Sequence, residues 1–160
     1  MKHDVVCRRD VTNLGHNNAA ALVKRAIGAA LDAEGVHDKC LVSVLFTDDD
    51  GIQKLNREFR NIDRATDVLS FPMNDLAPGT FEAGLCEHDP ESGEVLLGDM
   101  AISVPRCDVQ GAELGHGFDR EVQYLAVHSV LHLLGYDHVD EGPMKKQMRA
   151  REKIIMGDKE

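Results

Sequence analysis

The chain has 160 residues, 42% of them hydrophobic and 29% charged, which suits a globular protein with one real core. Its net charge of −10 argues against non-specific nucleic-acid binding by the molecule as a whole, while leaving room for a local basic groove. No stretch reaches the length needed to span a membrane, and Cys7, Cys40, Cys86 and Cys107 form no C-x2-C pair, so the reduced thiols of a cytoplasmic protein are expected rather than a disulfide frame.

The N-terminal M-K-H-D-V-V-C-R-R-D holds no apolar core of signal-peptide length. Within it, residues 4–8 (D-V-V-C-R) suit a first strand. An Ala-rich segment follows with Leu22, Ile27 and Leu31 at helical spacing; a helix is expected, capped by Asn17 or Asn18 and closed by Gly35. Residues 41–47 (L-V-S-V-L-F-T) read as a buried strand, β-branched and continuously apolar. Asp48, Asp49 and Asp50 come next. Adjacent acids suggest a cation site, but acids at a helix start satisfy free amides and favour the dipole, and capping is the better reading. The helix they open carries Ile52, Leu55 and Phe59 on one side.

A polar loop with Arg60 and Arg64 separates that helix from a short strand expected at Val68–Phe71 and stopped by Pro72. With Lys54 and Arg57 this is the densest positive cluster in the first half of the chain. A solvated helix face accounts for Lys54 and Arg57. Arg60 and Arg64 are the candidates for phosphate contact, since a guanidinium grips phosphate oxygens bidentately. Residues 73–93, rich in Gly, Pro and acids, read as a long surface excursion, with His88 exposed and lacking a nearby partner. Residues 94–104 form the last strand by pattern. Asp99 sits inside it among apolar neighbours, where it caps Ser103 or the next helix, or orients a metal-bound histidine; the pattern leaves both open. Residues 105–114 are expected to be helical, and G-H-G at 115–117 breaks the chain.

The next helix starts at Phe118, with Asp119 as its N-cap, and its apolar residues cover most of the circumference, so it should pass through the core. Glu121, two turns before His128, is too far to ligate with it and is assigned to dipole stabilisation. The helix ends in H-S-V-L-H-L-L-G-Y-D-H, residues 128–138, where the histidines are spaced H-x3-H-x5-H. Residues four apart lie on one helix face, so His128 and His132 project side by side. Gly135 permits a left-handed residue that ends the helix, letting His138 return toward the same point. A lone histidine on a helix is usually a surface or core residue. Three in one otherwise apolar segment would be costly to bury without a shared partner, and three neutral nitrogens with an open fourth position match a catalytic zinc site. After the turn, Pro143 starts a C-terminal helix.

The histidine block, together with T-D-V-L-S-F-P at 66–72 and L-G-D-M-A-I-S at 97–103, resembles the YbeY family of bacterial metal-dependent endoribonucleases and rRNA maturation factors. The blocks stand in the family's order, and the resemblance covers nearly the full chain. It implies a single α+β domain over residues 1–160, with a small mixed sheet of about four strands packed with about five helices. It implies one Zn2+ ion per chain held by His128, His132 and His138, at a helix C-terminus and the following turn. It further implies cleavage of single-stranded RNA, maturation of the 16S rRNA 3′ end and ribosome quality control, with the small ribosomal subunit and its associated proteins as partners. Neither DNA nor a membrane is expected as a partner. The family's loop arginine matches Arg60, so Arg60 and His132 are the expected catalytic residues. Ser129 stands where the family usually has Gly, Arg64 where Lys is common, and Tyr124 where many members carry His.

The mechanism expected is hydrolysis of a phosphodiester by a metal-activated water, with Arg60, helped by Arg64, stabilising phosphate charge. Asp99 and Asp137 are candidates to orient metal ligands, Asp137 alternatively shaping the turn. Two rivals share the sequence. A zinc peptidase of the H-E-x-x-H type needs a Glu where Ser129 stands. A ribosome-associated binding module would use zinc only to stabilise its fold, against which three ligands rather than four speaks.

Overall fold

A computed structural model describes residues 3–137 and 142–157. In chain order these form strand β1 (Asp4–Arg9), helix α1 (Ala19–Ala33), β2 (Cys40–Thr47), α2 (Asp49–Arg60), β3 (Val68–Pro72), β4 (Val95–Ser103), α3 (Val104–Glu113), α4 (Gly117–Leu133) and α5 (Pro143–Met156). The expected excursion separates β3 from β4 and contains one 3-10 turn at Ala83–Leu85. The strands make one mixed sheet in the order β1-β2-β4-β3, parallel except where β3 pairs antiparallel with β4. The fold is α+β, as expected.

β2 is largely apolar, yet over Cys40–Phe46 only alternate residues are fully buried: Val42, Val44 and Phe46 face the main core, while Leu41, Ser43 and Leu45 are half-covered. The reason lies in the layers. α1, α3 and α4 cover the first face, where Val23, Ile27 and Leu31 meet Met100, Ile102 and the buried side of α4. α2 alone covers the other, through a small cluster of Ile52, Leu69 and Ala101. α4 buries Val122, Val130, Leu131 and Leu133 completely, each contributing roughly 1.5–3 kcal/mol of transfer free energy, so this helix is fixed firmly in depth and rotation.

Gly98 lets β3 and α4 close onto the sheet. One extra residue, Leu97, is inserted in β4 where the register passes from Leu41↔Leu96 to Val42↔Gly98. A Cβ on Gly98 would lie 2.5 Å from the Phe71 carbonyl oxygen and 2.9 Å from a Leu133 methyl. Only glycine permits that approach.

The helix starts follow their caps in part. Asp48 accepts the Gly51 amide at 2.8 Å and opens α2, as the acidic run predicts. Asn18 stands at the α1 N-cap but makes no side-chain cap bond; its amide instead donates to Asp119 at 3.2 Å. Asp119 is thereby drawn into a tertiary contact and lies inside the first turn of α4, which begins at Gly117 after His116. The four cysteines are free thiols, three of them buried. No helix among the described residues is long and apolar enough to cross a membrane.

Candidate functional site

The histidine helix meets the C-terminal end of α2, so Arg60, expected in a loop, reaches the site from a helix. A cavity of about 810 Å³ is lined by Arg60, Thr66, Asp67, Ser70, His128, His132 and Asp137 together with neighbouring residues of β3 and the turn after α4. Arg60 is the last residue of α2, where a cation is favoured by the helix dipole, and Asn61 then leaves the helix at φ 60°. Arg64, its expected helper, is exposed and does not line this cavity.

His128 and His132 lie one turn apart on α4, and their Nε2 atoms are 3.2 Å from each other. Each ring is held from behind. His128 Nδ1 lies 2.6 Å from Glu152 Oε2, and His132 Nδ1 lies 2.9 Å from the Tyr136 carbonyl oxygen. An ionised carboxylate and a carbonyl only accept hydrogen bonds, so each Nδ1 is the donor. In the neutral rings this turns both Nε2 lone pairs toward the cavity. Two nitrogens bound to one tetrahedral zinc, each roughly 2.0–2.1 Å away, stand roughly 3.3 Å apart. The observed spacing therefore fits a shared cation, and the backing bonds are those that orient metal ligands. Among the described residues no group of three His, Cys, Asp or Glu side chains comes together to hold a metal. His138 lies outside the described residues.

The two backing contacts trace to adjacent residues of α5. Glu152 is buried and carries His128 on one oxygen and the Tyr124 hydroxyl, at 3.0 Å, on the other. Arg151 donates at 2.6 Å to Glu34, whose second oxygen accepts the Tyr136 hydroxyl at 2.7 Å. Burial, followed by the neighbouring Glu152 charge, pushes the Tyr124 phenol far above its usual range. Burial and the Glu34 hydrogen bond push Tyr136 up to about 12. Both phenols therefore remain donors to carboxylates. Tyr124 thus orients Glu152.

The turn after α4 follows the expected left-handed route, with Gly135 at φ 103°. A Cβ there would sit 2.1 Å from the Leu76 carbonyl oxygen, so the glycine also admits the excursion against the turn that carries Tyr136. T-D-V-L-S-F-P builds the opposite wall. Asp67 Oδ1 accepts the Val68 amide at 2.7 Å, and its other oxygen accepts Gln110 at 3.2 Å. Gln110 also donates to Glu121, which pairs with His116 at 2.8 Å. Glu121, assigned from sequence to the helix dipole, is instead a buried member of this network. Ser70 and Ser129 share a hydrogen bond of 2.6 Å that ties β3 to α4.

Two other expectations are corrected. Asp99 is exposed and shares its face of β4 with Ala101, on the α2 side of the sheet, away from the histidines. His88 is exposed but not partnerless: its ring nitrogens face the carbonyls of Ala83 at 2.8 Å and Gly93 at 3.1 Å. Asp137 lines the cavity. Asp67 and Glu152 escaped the sequence reading. The only signal for Glu152 was its spacing of four from Met148, the apolar face of α5.

The family profile described as Endoribonuclease YbeY matches residues 5–159. The endoribonuclease YbeY of Clostridium kluyveri is 45% identical over 141 residues, covering 84% of this chain and 85% of that protein. The corresponding protein of Clostridium botulinum strain Loch Maree is 44% identical over 140 residues, covering 84% of each. In fold, the chain is similar to the solution structure of TM1509 from Thermotoga maritima, with a TM-score of 0.55 at 20% identity over 97% of this chain and 89% of that one.

Proposed function

The chain belongs to the endoribonuclease YbeY family, and from that premise we propose that it is a zinc-dependent, single-strand-specific endoribonuclease of the cytoplasm. Its substrate is rRNA, its task 16S rRNA 3′-end maturation and ribosome quality control, and its partners are the small ribosomal subunit and associated proteins. The observation that carries this reading is the pair of convergent Nε2 atoms, 3.2 Å apart, in the cavity that Arg60 also lines.

His128, His132 and His138 would hold the ion. The chemistry such an ion would supply is a bound water of lowered pKa and polarisation of a phosphoryl oxygen. The remaining work falls to side chains. Arg60 binds the phosphate and stabilises the charge that grows on its oxygens. Glu152 and the Tyr136 carbonyl keep the protons of His128 and His132 on Nδ1, leaving Nε2 to ligate. The polar wall at Thr66, Asp67 and Ser70 suits a ribose-phosphate chain better than an apolar ligand.

A peptidase reading loses support here. Ser129, at the place of the peptidase glutamate, is fully buried and engaged with Ser70. The test is cleavage of a single-stranded RNA by the native protein, the metal-stripped protein and His132→Ala, with a peptide substrate beside it. Loss of RNA cleavage in both altered forms is expected. Metal-independent cleavage, or peptide turnover alone, defeats the proposal. Ribosome co-sedimentation without turnover would establish the binding-module reading instead.

A further inference from the structure

His128 forms part of the wall of a second cavity, of about 220 Å³, lined by Tyr124, His128, Lys145, Met148, Arg149 and Glu152. Its composition differs from the rest of the molecule. In a chain of net charge −10, the α5 sequence P-M-K-K-Q-M-R-A-R-E-K-I-I-M carries five cations and one acid. Arg151 is committed to Glu34, and the acid, Glu152, has its two oxygens on Tyr124 and His128. Lys145 and Arg149 are four apart, so they share a helix face, and both line this cavity. Arg149 is exposed at its rim. A phenol ring and a thioether, from Tyr124 and Met148, supply apolar wall beneath them.

We propose that this second cavity is a nucleotide subsite of the nuclease: it takes the base adjacent to the phosphate bound at His128 and His132, and Lys145 and Arg149 take that nucleotide's backbone phosphate. The proposal rests on the endoribonuclease reading above and extends it. Cations concentrated beside the site offset the repulsion that an acidic protein exerts on RNA. A base can enter a pocket beside the reacting phosphate only when it is splayed out of a stack, which single strands allow and duplexes resist. The pocket thus supplies a physical source for selection of single strands, with stacking on Tyr124 tolerant of base identity.

The experiment uses the zinc-loaded full chain and a single-stranded RNA oligonucleotide whose cleavage position has been mapped. Substituting K145A and R149A together should raise KM about tenfold, with the larger part of the loss in KM, and lower the salt slope of binding by about 0.7 for the one phosphate they share. A variant-free arm uses abasic oligonucleotides. Removing the base on one side of the cleaved bond should weaken binding to the native protein, whereas removal at distant positions should not. An unchanged KM and salt slope, a loss confined to kcat, or indifference to both neighbouring bases overturns the subsite. If the native protein does not cleave the RNA at all, the nuclease reading itself fails, an outcome separate from these. Should the double variant fail to fold by circular dichroism, the abasic scan decides alone.

Discussion

Glu152 Oε2 lies 2.6 Å from His128 Nδ1, joining the C-terminal helix to the core helix at the ring that faces the cavity. The carboxylate is buried, and its other oxygen is occupied by the Tyr124 hydroxyl at 3.0 Å, so its position is set from two sides. Carboxylate–histidine pairs of this kind hold a ligand's ring orientation and proton position.

Glu152→Gln keeps the shape, and its carbonyl oxygen can still accept from His128 Nδ1–H while its NH2 faces the Tyr124 hydroxyl, so the substitution removes the negative charge behind the ring. Zinc affinity is expected to fall 10–100-fold. Tyr124→Phe leaves the carboxylate in place and should cost less. Competition against a chromophoric chelator measures both directly, independently of turnover. Equal affinities for native protein and Glu152→Gln would show that Glu152 does no more than stabilise the fold.

What depends on short-range pattern is legible in the amino-acid sequence. The acidic cap at Asp48, the β2 run and the histidine pair at i, i+4 are all local, and all stand where periodicity puts them. What depends on tertiary geometry was illegible. Asn18 and Asp119 each have cap chemistry, but they bond to one another across the α1–α4 contact. The two roles left open for Asp99 could not be separated by pattern, because an inserted Leu97 and the order β2-β4-β3 decide which face it takes, and that face is turned from the histidines. Glu152 sits beyond a turn whose path no spacing rule supplies, and Asp67 acquires its network from α3, which follows it by two elements.

Gly135→Ala should destabilise the protein by about 2–4 kcal/mol, combining a strained positive φ with a displaced neighbour. The new Cβ would meet the Leu76 carbonyl oxygen at 2.1 Å, and backbone cannot yield as a side-chain tip can. Because the same turn presents the Tyr136 carbonyl to His132, zinc affinity should fall as well. Urea unfolding of the metal-free variant reads the first effect. A midpoint equal to that of the native protein would show that the excursion shifts freely at Leu76.

Ser129→Gly should lower stability by roughly 1–2 kcal/mol, from a helix-interior glycine and the lost bond to Ser70. Both contributions act on the α4–β3 contact, since the hydroxyls are 2.6 Å apart. The variant Ser70→Ala removes the bond without touching the helix, so its smaller loss isolates that part. Chemical denaturation of the two variants and their combination tests the coupling. Strict additivity would mean that the hydroxyls do not bond in solution.

The chain has two tyrosines, Tyr124 and Tyr136, so tyrosinate absorbance reports on both supports of the site at once. Their ordinary value is 10.0; burial and Glu34 push Tyr136 up to about 12, and burial with Glu152 pushes Tyr124 further. A group raised in the folded state contributes stability that is complete below its unfolded pKa and lost as pH rises through the folded one. Stability should therefore decline from about pH 10 upward, where the unfolded chain releases phenolic protons that the fold retains. Native protein should show little tyrosinate at pH 10, then ionise Tyr136 first, and Tyr136→Phe should remove that earlier step alone. Half of the absorbance change at pH 10, with circular dichroism still native, would mean that neither phenol donates to its carboxylate.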